Sequence, residues 1–165
     1  MDYAMAMNKK GFTILESIIV LGIIALIFGM SIPQFLKFTR GSTINSAAYQ
    51  VANVLKTARS YAISRNSNYE VNFDSTTFPS GPHAIWITDS AVPTPNVAGK
   101  RYMLPKTISI GKPDGSNPVT FMNGRATFKP TGGIVGNNGS VSLMDKNSAT
   151  KCISVINTTG RVKID

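Results

Sequence analysis

Few residues in this sequence have the type and spacing for chemistry. Glu16 sits at the edge of an apolar run, IIVLGIIALIFGMSI at residues 18–32, with Lys9, Lys10, Gly11 and Phe12 just upstream. A carboxylate in such a setting is costly and calls for a partner. His83, in the turn Ser80-Gly81-Pro82-His83, and Cys152, in the alternating run CISVI, are the only histidine and cysteine. Neither belongs to a nucleophile elbow, a metal-spaced cluster or a phosphate loop. His83 reads as a solvent-exposed loop residue and Cys152 as a small buried hydrophobe. A lone cysteine forms no intramolecular disulfide. Asp114 with Asn117, and Asp145 with Asn147, offer oxygens without the spacing of a Ca²⁺ loop. The expectation is a protein with no cofactor, no metal and no enzymatic activity.

The C-terminal run Thr159-Gly160-Arg161-Val162-Lys163-Ile164 alternates cations with β-branched residues. On a strand, Val162 and Ile164 face inward while Arg161 and Lys163 face water together. Two readings stand: the solvated face of a last strand, or a pair of cations that meets a phosphate backbone. Lys151, Arg125 and Lys129 join such a patch if their strands neighbour the last one. No aromatic residue lies near Arg161 in the sequence to stack unpaired bases. Lys and Arg number 17 against 8 Asp and Glu, a formal charge of +9 spread along the chain. That balance permits nucleic acid, acidic lipid or acidic protein as partners without choosing among them.

The elements that carry these residues follow from periodicity. The apolar run, extended by Phe12, Ile14, Leu15, Phe35 and Leu36, reaches the roughly 20 residues of a spanning helix. Lys9 and Lys10 before it place the leader in the cytoplasm and export the rest. No small-residue cleavage site for signal peptidase ends the run. Downstream, Ile44, Ala47, Ala48, Val51, Leu55, Ala58 and Ala62 recur at three-and-four spacing, an amphipathic helix, with Gly41 and Ser42 as a joint or new cap. Period two begins at Tyr69, Val71 and Phe73, and strands are expected at 69–73, 84–88, 140–144, 151–156 and 161–164. Asn123-Gly124 predicts a hairpin joining 119–122 to 125–128. The 42% hydrophobic content, 14 glycines and 9 prolines suit a folded, turn-rich domain. The fold class is α+β, a helix packed on an antiparallel sheet.

The residues KKGFTILE, 9–16, resemble the processing signature of type IV pilins and of type II secretion pseudopilins. The resemblance implies a long N-terminal helix packed on an antiparallel sheet. It also implies a leader at 1–11 removed after Gly11 by a prepilin peptidase, which then N-methylates Phe12. Glu16 matches the glutamate that pairs with the N-terminal amine of an adjacent subunit. The chain then divides into a transmembrane and assembly helix at 12–36, an amphipathic half at 37–66 and an exported β-rich domain at 67–165. Implied partners are the peptidase and methyltransferase, other pilins or pseudopilins, and an inner-membrane assembly platform. Implied location is a single pass through a bacterial inner membrane with the C-terminal domain periplasmic, then a pilus or pseudopilus. The stretches ARSYAISRNSNYEVNF, FKPTGGIVGNNGSVSLMD and KCISVINTTGRVKID resemble the GspH/FimT branch of minor pilins and pseudopilins. In FimT-like members a Gly-Arg-x-Arg run binds DNA during uptake. Here Lys163 stands at the second arginine, keeping the charge without the bidentate geometry.

Overall fold

The computed structural model describes residues 13–74, 83–90 and 101–165, with residues 32–40 described by backbone alone. Gly11 and Phe12 lie outside the described residues. The chain divides into two units, Met1–Arg40 and Gly41–Asp165.

One helix, α1 (Ile14–Arg65), begins in the first unit and ends in the second. The joint expected at Gly41-Ser42 coincides with the division between the two units, and the helical backbone runs through it. A Cβ at Gly41 would meet nothing within 4 Å, so that glycine costs about a kcal/mol of helix propensity and leaves the hydrogen-bonded ladder intact. The seven apolar positions expected on one face of the second half are all buried, and Ala52 and Val54 join them. Alanines 47, 48, 52, 58 and 62 keep that face shallow, which lets the helix lie close against the strands. At its end Asn66 takes a left-handed conformation (φ 51°), and the Ser67 N–H donates to the Ala62 carbonyl at 3.3 Å, a Schellman-type stop. Arg65 donates to the Tyr69 hydroxyl at 3.0 Å and lies over the Tyr61 and Tyr69 rings. The Tyr69 hydrogen bond is the main cause of a raised Arg65 pKa.

Among the described residues eight strands follow: β1 (Tyr69–Phe73), β2 (Ala84–Asp89), β3 (Tyr102–Met103), β4 (Ile108–Ile110), β5 (Arg125–Phe128), β6 (Gly139–Asp145), β7 (Thr150–Val155) and β8 (Val162–Ile164). They form two four-stranded sheets, β3-β2-β1-β5 and β4-β6-β7-β8, antiparallel at every pairing. The α+β class holds, with two sheets where one was expected. Alternation sends Tyr69, Val71, Ile85, Ile87, Ala126 and Phe128 of the first sheet inward, and Ile108, Ile110, Val141, Leu143, Ile153 and Val155 of the second. These side chains and the helix stripe make one hydrophobic core.

Three local expectations are corrected. Asn123 and Gly124 do adopt positive φ (57° and 69°), yet the segments on either side do not pair as a hairpin. Val119 bridges to Val141 of the second sheet, whereas β5 pairs with β1 of the first. The Phe121 ring lies between, buried and stacked 5.8 Å from Phe73, so the turn passes the chain from one sheet to the other. His83 is fully buried, with Nδ1 2.9 Å from the Asp74 carbonyl oxygen. It sits at the mouth of β2, where its own carbonyl accepts from Leu104 N–H, so the sheet rather than a free loop holds it. Cys152 is half-buried, because Ile153 and Val155 take the inward positions of β7 and alternation turns Cys152 to the outer face beside Ser142.

Candidate functional site

Along Ile14–Ser31 the helix is apolar on every side, and none of that surface is buried within the structure. A helix apolar all round belongs in an apolar medium, because water would face its whole circumference. It is long and apolar enough to cross a membrane. Glu16 is the one charged residue in this stretch. Thr13 caps the helix: its Oγ1 accepts from the Glu16 N–H at 3.2 Å, and its carbonyl accepts the first helical bond from Ser17 at 3.1 Å. The pattern Thr13-x-x-Glu16 is a capping-box sequence, a legible signal for the helix start, and it places the carboxylate in the first turn where the helix dipole favours it. The hydroxyls of Ser17 and Ser31 turn back onto the carbonyls of Thr13 (3.4 Å) and Ile27 (2.8 Å), so both are satisfied without water.

The basic residues separate between the sheets. Arg125 lies in β5 of the first sheet, and its Nη1 donates to Glu70 Oε2 at 3.3 Å. Lys151 lies in β7 and Lys163 in β8, adjacent strands of the second sheet. Lys163 is ion-paired with Asp165, and the hydrogen bond from Lys163 is the first cause that lowers the Asp165 pKa. Arg161 precedes β8 and Lys129 follows β5; both are exposed with no acidic partner among the described residues. Val162 and Ile164 pack against the core, as the alternation required. The structure therefore brings Lys151 beside the last strand and sets Arg125 apart.

The glycines around Arg161 have a structural task that the sequence alone did not reveal. The turn at residues 129–134 meets the turn at 157–160 backbone to backbone, and the Ile134 N–H donates to the Asn157 carbonyl at 2.8 Å. A Cβ on Gly133 would come within 2.6 Å of that same carbonyl oxygen, and one on Gly160 (φ 63°) would overlap the carbonyl of Gly132. From the helix, Arg59 Nε donates to Gly132 O at 3.0 Å. Arg59 thus ties α1 to the junction of the two turns. Its neighbours in sequence gave no hint of this role, since the partner is 73 residues away.

Acidic residues elsewhere serve turns. Asp114 Oδ1 accepts from the Ser116 N–H (3.0 Å) and hydroxyl (2.8 Å), and the backbone bond is the leading cause of its lowered pKa. Asp145 Oδ1 accepts from the N–H groups of Asn147 and Ala149, both at 2.8 Å. Asn117 accepts from the Val119 N–H at 3.0 Å. Among the described residues no three His, Cys, Asp or Glu converge as a metal site would require.

An apolar N-terminal helix that continues into an amphipathic half under antiparallel sheets defines a class, the type IV pilins and pseudopilins. Solved structures agree on the fold. The type IV minor pilin FimU of Pseudomonas aeruginosa superposes with a TM-score of 0.54 at 16% identity, over 78% of this chain and 92% of that one. The minor pseudopilin EpsH of the Vibrio cholerae type 2 secretion system gives 0.53 at 11% identity, over 74% and 96%. A search of curated protein sequences finds no match. The family model for the type II transport protein GspH matches residues 47–160, and the chain belongs to that family.

Proposed function

We propose that this chain is a minor pilin or pseudopilin subunit, structural rather than enzymatic, that enters a type II secretion pseudopilus or a type IV pilus through its N-terminal helix and acts in initiation or at the tip. A prepilin peptidase removes the leader after Gly11 and methylates Phe12. The helix resides in the bacterial inner membrane with the C-terminal domain outside the cytoplasm. It then leaves the bilayer at the assembly platform to pack against the helices of other pilins or pseudopilins.

The observation that carries this reading is the segment Ile14–Ser31, apolar on all sides and exposed along its length among the described residues. Lipid satisfies it first and neighbouring subunits satisfy it later, so the same surface serves anchoring and assembly. Glu16 is then the directional element, because a carboxylate within an apolar fibre core requires a cation, and the methylated amine of the adjacent subunit supplies one. Glu16→Ala should still insert in membranes but fail to enter filaments, read by fractionation and by counting subunits in sheared fibres. Normal incorporation would remove the role given to this carboxylate.

A second reading, display of this subunit as a DNA-binding minor pilin, is favoured by one observation. Arg161 and Lys129 are exposed without acidic partners among the described residues, and Lys151 lies on the strand next to β8. Lys163 would have to leave Asp165 to take part, and Arg125 to leave Glu70.

A further inference from the structure

The outer face of the first sheet holds a cleft lined by neither the apolar segment Ile14–Ser31 nor the C-terminal cations Arg161 and Lys163. Strand register aligns Trp86, Asn72 and Arg125 in one row across β2, β1 and β5, with Thr88, Glu70 and Thr127 in the next. Arg101 lays its guanidinium over the Trp86 ring, 4.5 Å from the centroid, and so holds the indole in place. A hollow of about 330 Å³ lies against Trp86 and Phe73 and is rimmed by Asn72, Asn117, Asn123 and Arg125. A second, of about 300 Å³, shares Asn123 and Arg125 and is bordered by Asn68, Glu70, Ser90 and Thr127. They share a border at Asn123 and Arg125, and each has a volume within the range of small-ligand sites.

Its hydrogen-bonding capacity is only partly spent. Asn72 uses its amide N–H on Thr88 at 2.9 Å, which leaves its carbonyl as an acceptor. Asn117 uses its carbonyl on the Val119 N–H, which leaves its amide NH₂ as a donor. Arg125 uses Nη1 on Glu70, which leaves the rest of its fork. The Arg125–Glu70 pair cancels in charge, which leaves the Arg101 guanidinium over the indole as a single cation among neutral donors and acceptors, not a cationic track. A polyanion gains little from such a wall. An uncharged ligand with hydroxyls on its edge and C–H groups on its face matches both the amides and the indole.

We propose that this face binds an uncharged oligosaccharide, with one sugar ring against Trp86 and its hydroxyls on Asn72, Asn117, Asn123 and Arg125. Two hollows sharing a border suit a linear chain of sugars over a single ring. The proposal stands apart from filament entry, which uses the helix.

Trp86 is the only tryptophan in the chain, so its fluorescence reports on this cleft alone. The full-length protein in a zwitterionic, non-glycosidic detergent is titrated with chitopentaose, with cellopentaose and with a thymidine pentanucleotide. At least one saccharide should give a saturable change that is insensitive to salt. The double change Asn123→Gly with Arg125→Ala should weaken it by roughly tenfold or more while circular dichroism stays unchanged. Glycine at 123 keeps the left-handed backbone there, so Asn123→Gly alone carries the test if the pair unfolds. Saturation by the oligonucleotide in place of the saccharides, no response to either saccharide, or unchanged saccharide affinity in the variants overturns the proposal.

Discussion

An alanine at position 160 has nowhere to place its methyl group. The Cβ would overlap the Gly132 carbonyl, and the backbone there sits at φ 63°, a conformation that L side chains rarely adopt. Relief requires the two turns to part and Arg59 to release Gly132 O. Gly160→Ala should therefore cost about 3 kcal/mol or more, measured by denaturant unfolding of the detergent-solubilised chain. A change within a few tenths would mean that the turns are only loosely joined. The neighbouring Arg161 is exposed and makes no such contact by its side chain, so Arg161→Ala should be close to neutral in the same measurement. The Gly-Arg pair visible in the sequence thus contains one residue held by backbone geometry and one free to meet a partner. The resemblance drew attention to the arginine, while the packing explains the glycine.

At the scale of elements, the second half of α1 was legible because its apolar positions repeat at helical spacing over about five turns. Its value to the fold lies in Leu55, fully buried in the core that the helix stripe shares with the inward residues of both sheets. Leu55→Ala should cost about 2–5 kcal/mol, the range for emptying a fully buried leucine site that closes only in part. A loss below 1 kcal/mol in thermal or denaturant unfolding would show that the helix can settle onto the sheets. Strands β1, β2, β6, β7 and β8 were also legible to within a residue or two, β2 as an apolar run after a turn-rich stretch and β1, β7 and β8 from alternation. The short strands β3 and β4, of two and three residues, were not: they are too brief to show a period, and pairing with β2 and β6 makes them strands. The Asn-Gly turn was right as a conformation and wrong as a hairpin. Positive φ is a local property, whereas the choice of partner strand depended on β1 offering an edge to β5.

On the scale of the whole molecule, the candidate DNA-contact cations among the described residues do not all lie on one sheet. Arg125 and Lys129 belong to the first sheet and the loop after it, Lys151 and Lys163 to the second, and two of these cations already have carboxylate partners. If DNA is a partner, its hold rests on few phosphate contacts. Gel-shift binding by the full chain should then fall with added salt along a shallow slope, about −0.9 per phosphate neutralised on duplex. Replacing Arg161 and Lys163 together by alanine should remove most of it. Absence of binding at low salt would remove the DNA reading and leave filament entry untouched.

Some properties of this protein were decided within short stretches of chain. The apolar span, its single carboxylate, the amphipathic stripe and the alternation of the longer strands depend on residues a few positions apart, so the sequence determined them by itself. Others depend on which distant segments meet. The division into two sheets, the burial of His83, the clamp of Arg59 on Gly132 and the row of Trp86, Asn72 and Arg125 were settled only by tertiary structure. Each is a contact between segments many residues apart, chosen by competition among edges and core positions that no local pattern encodes.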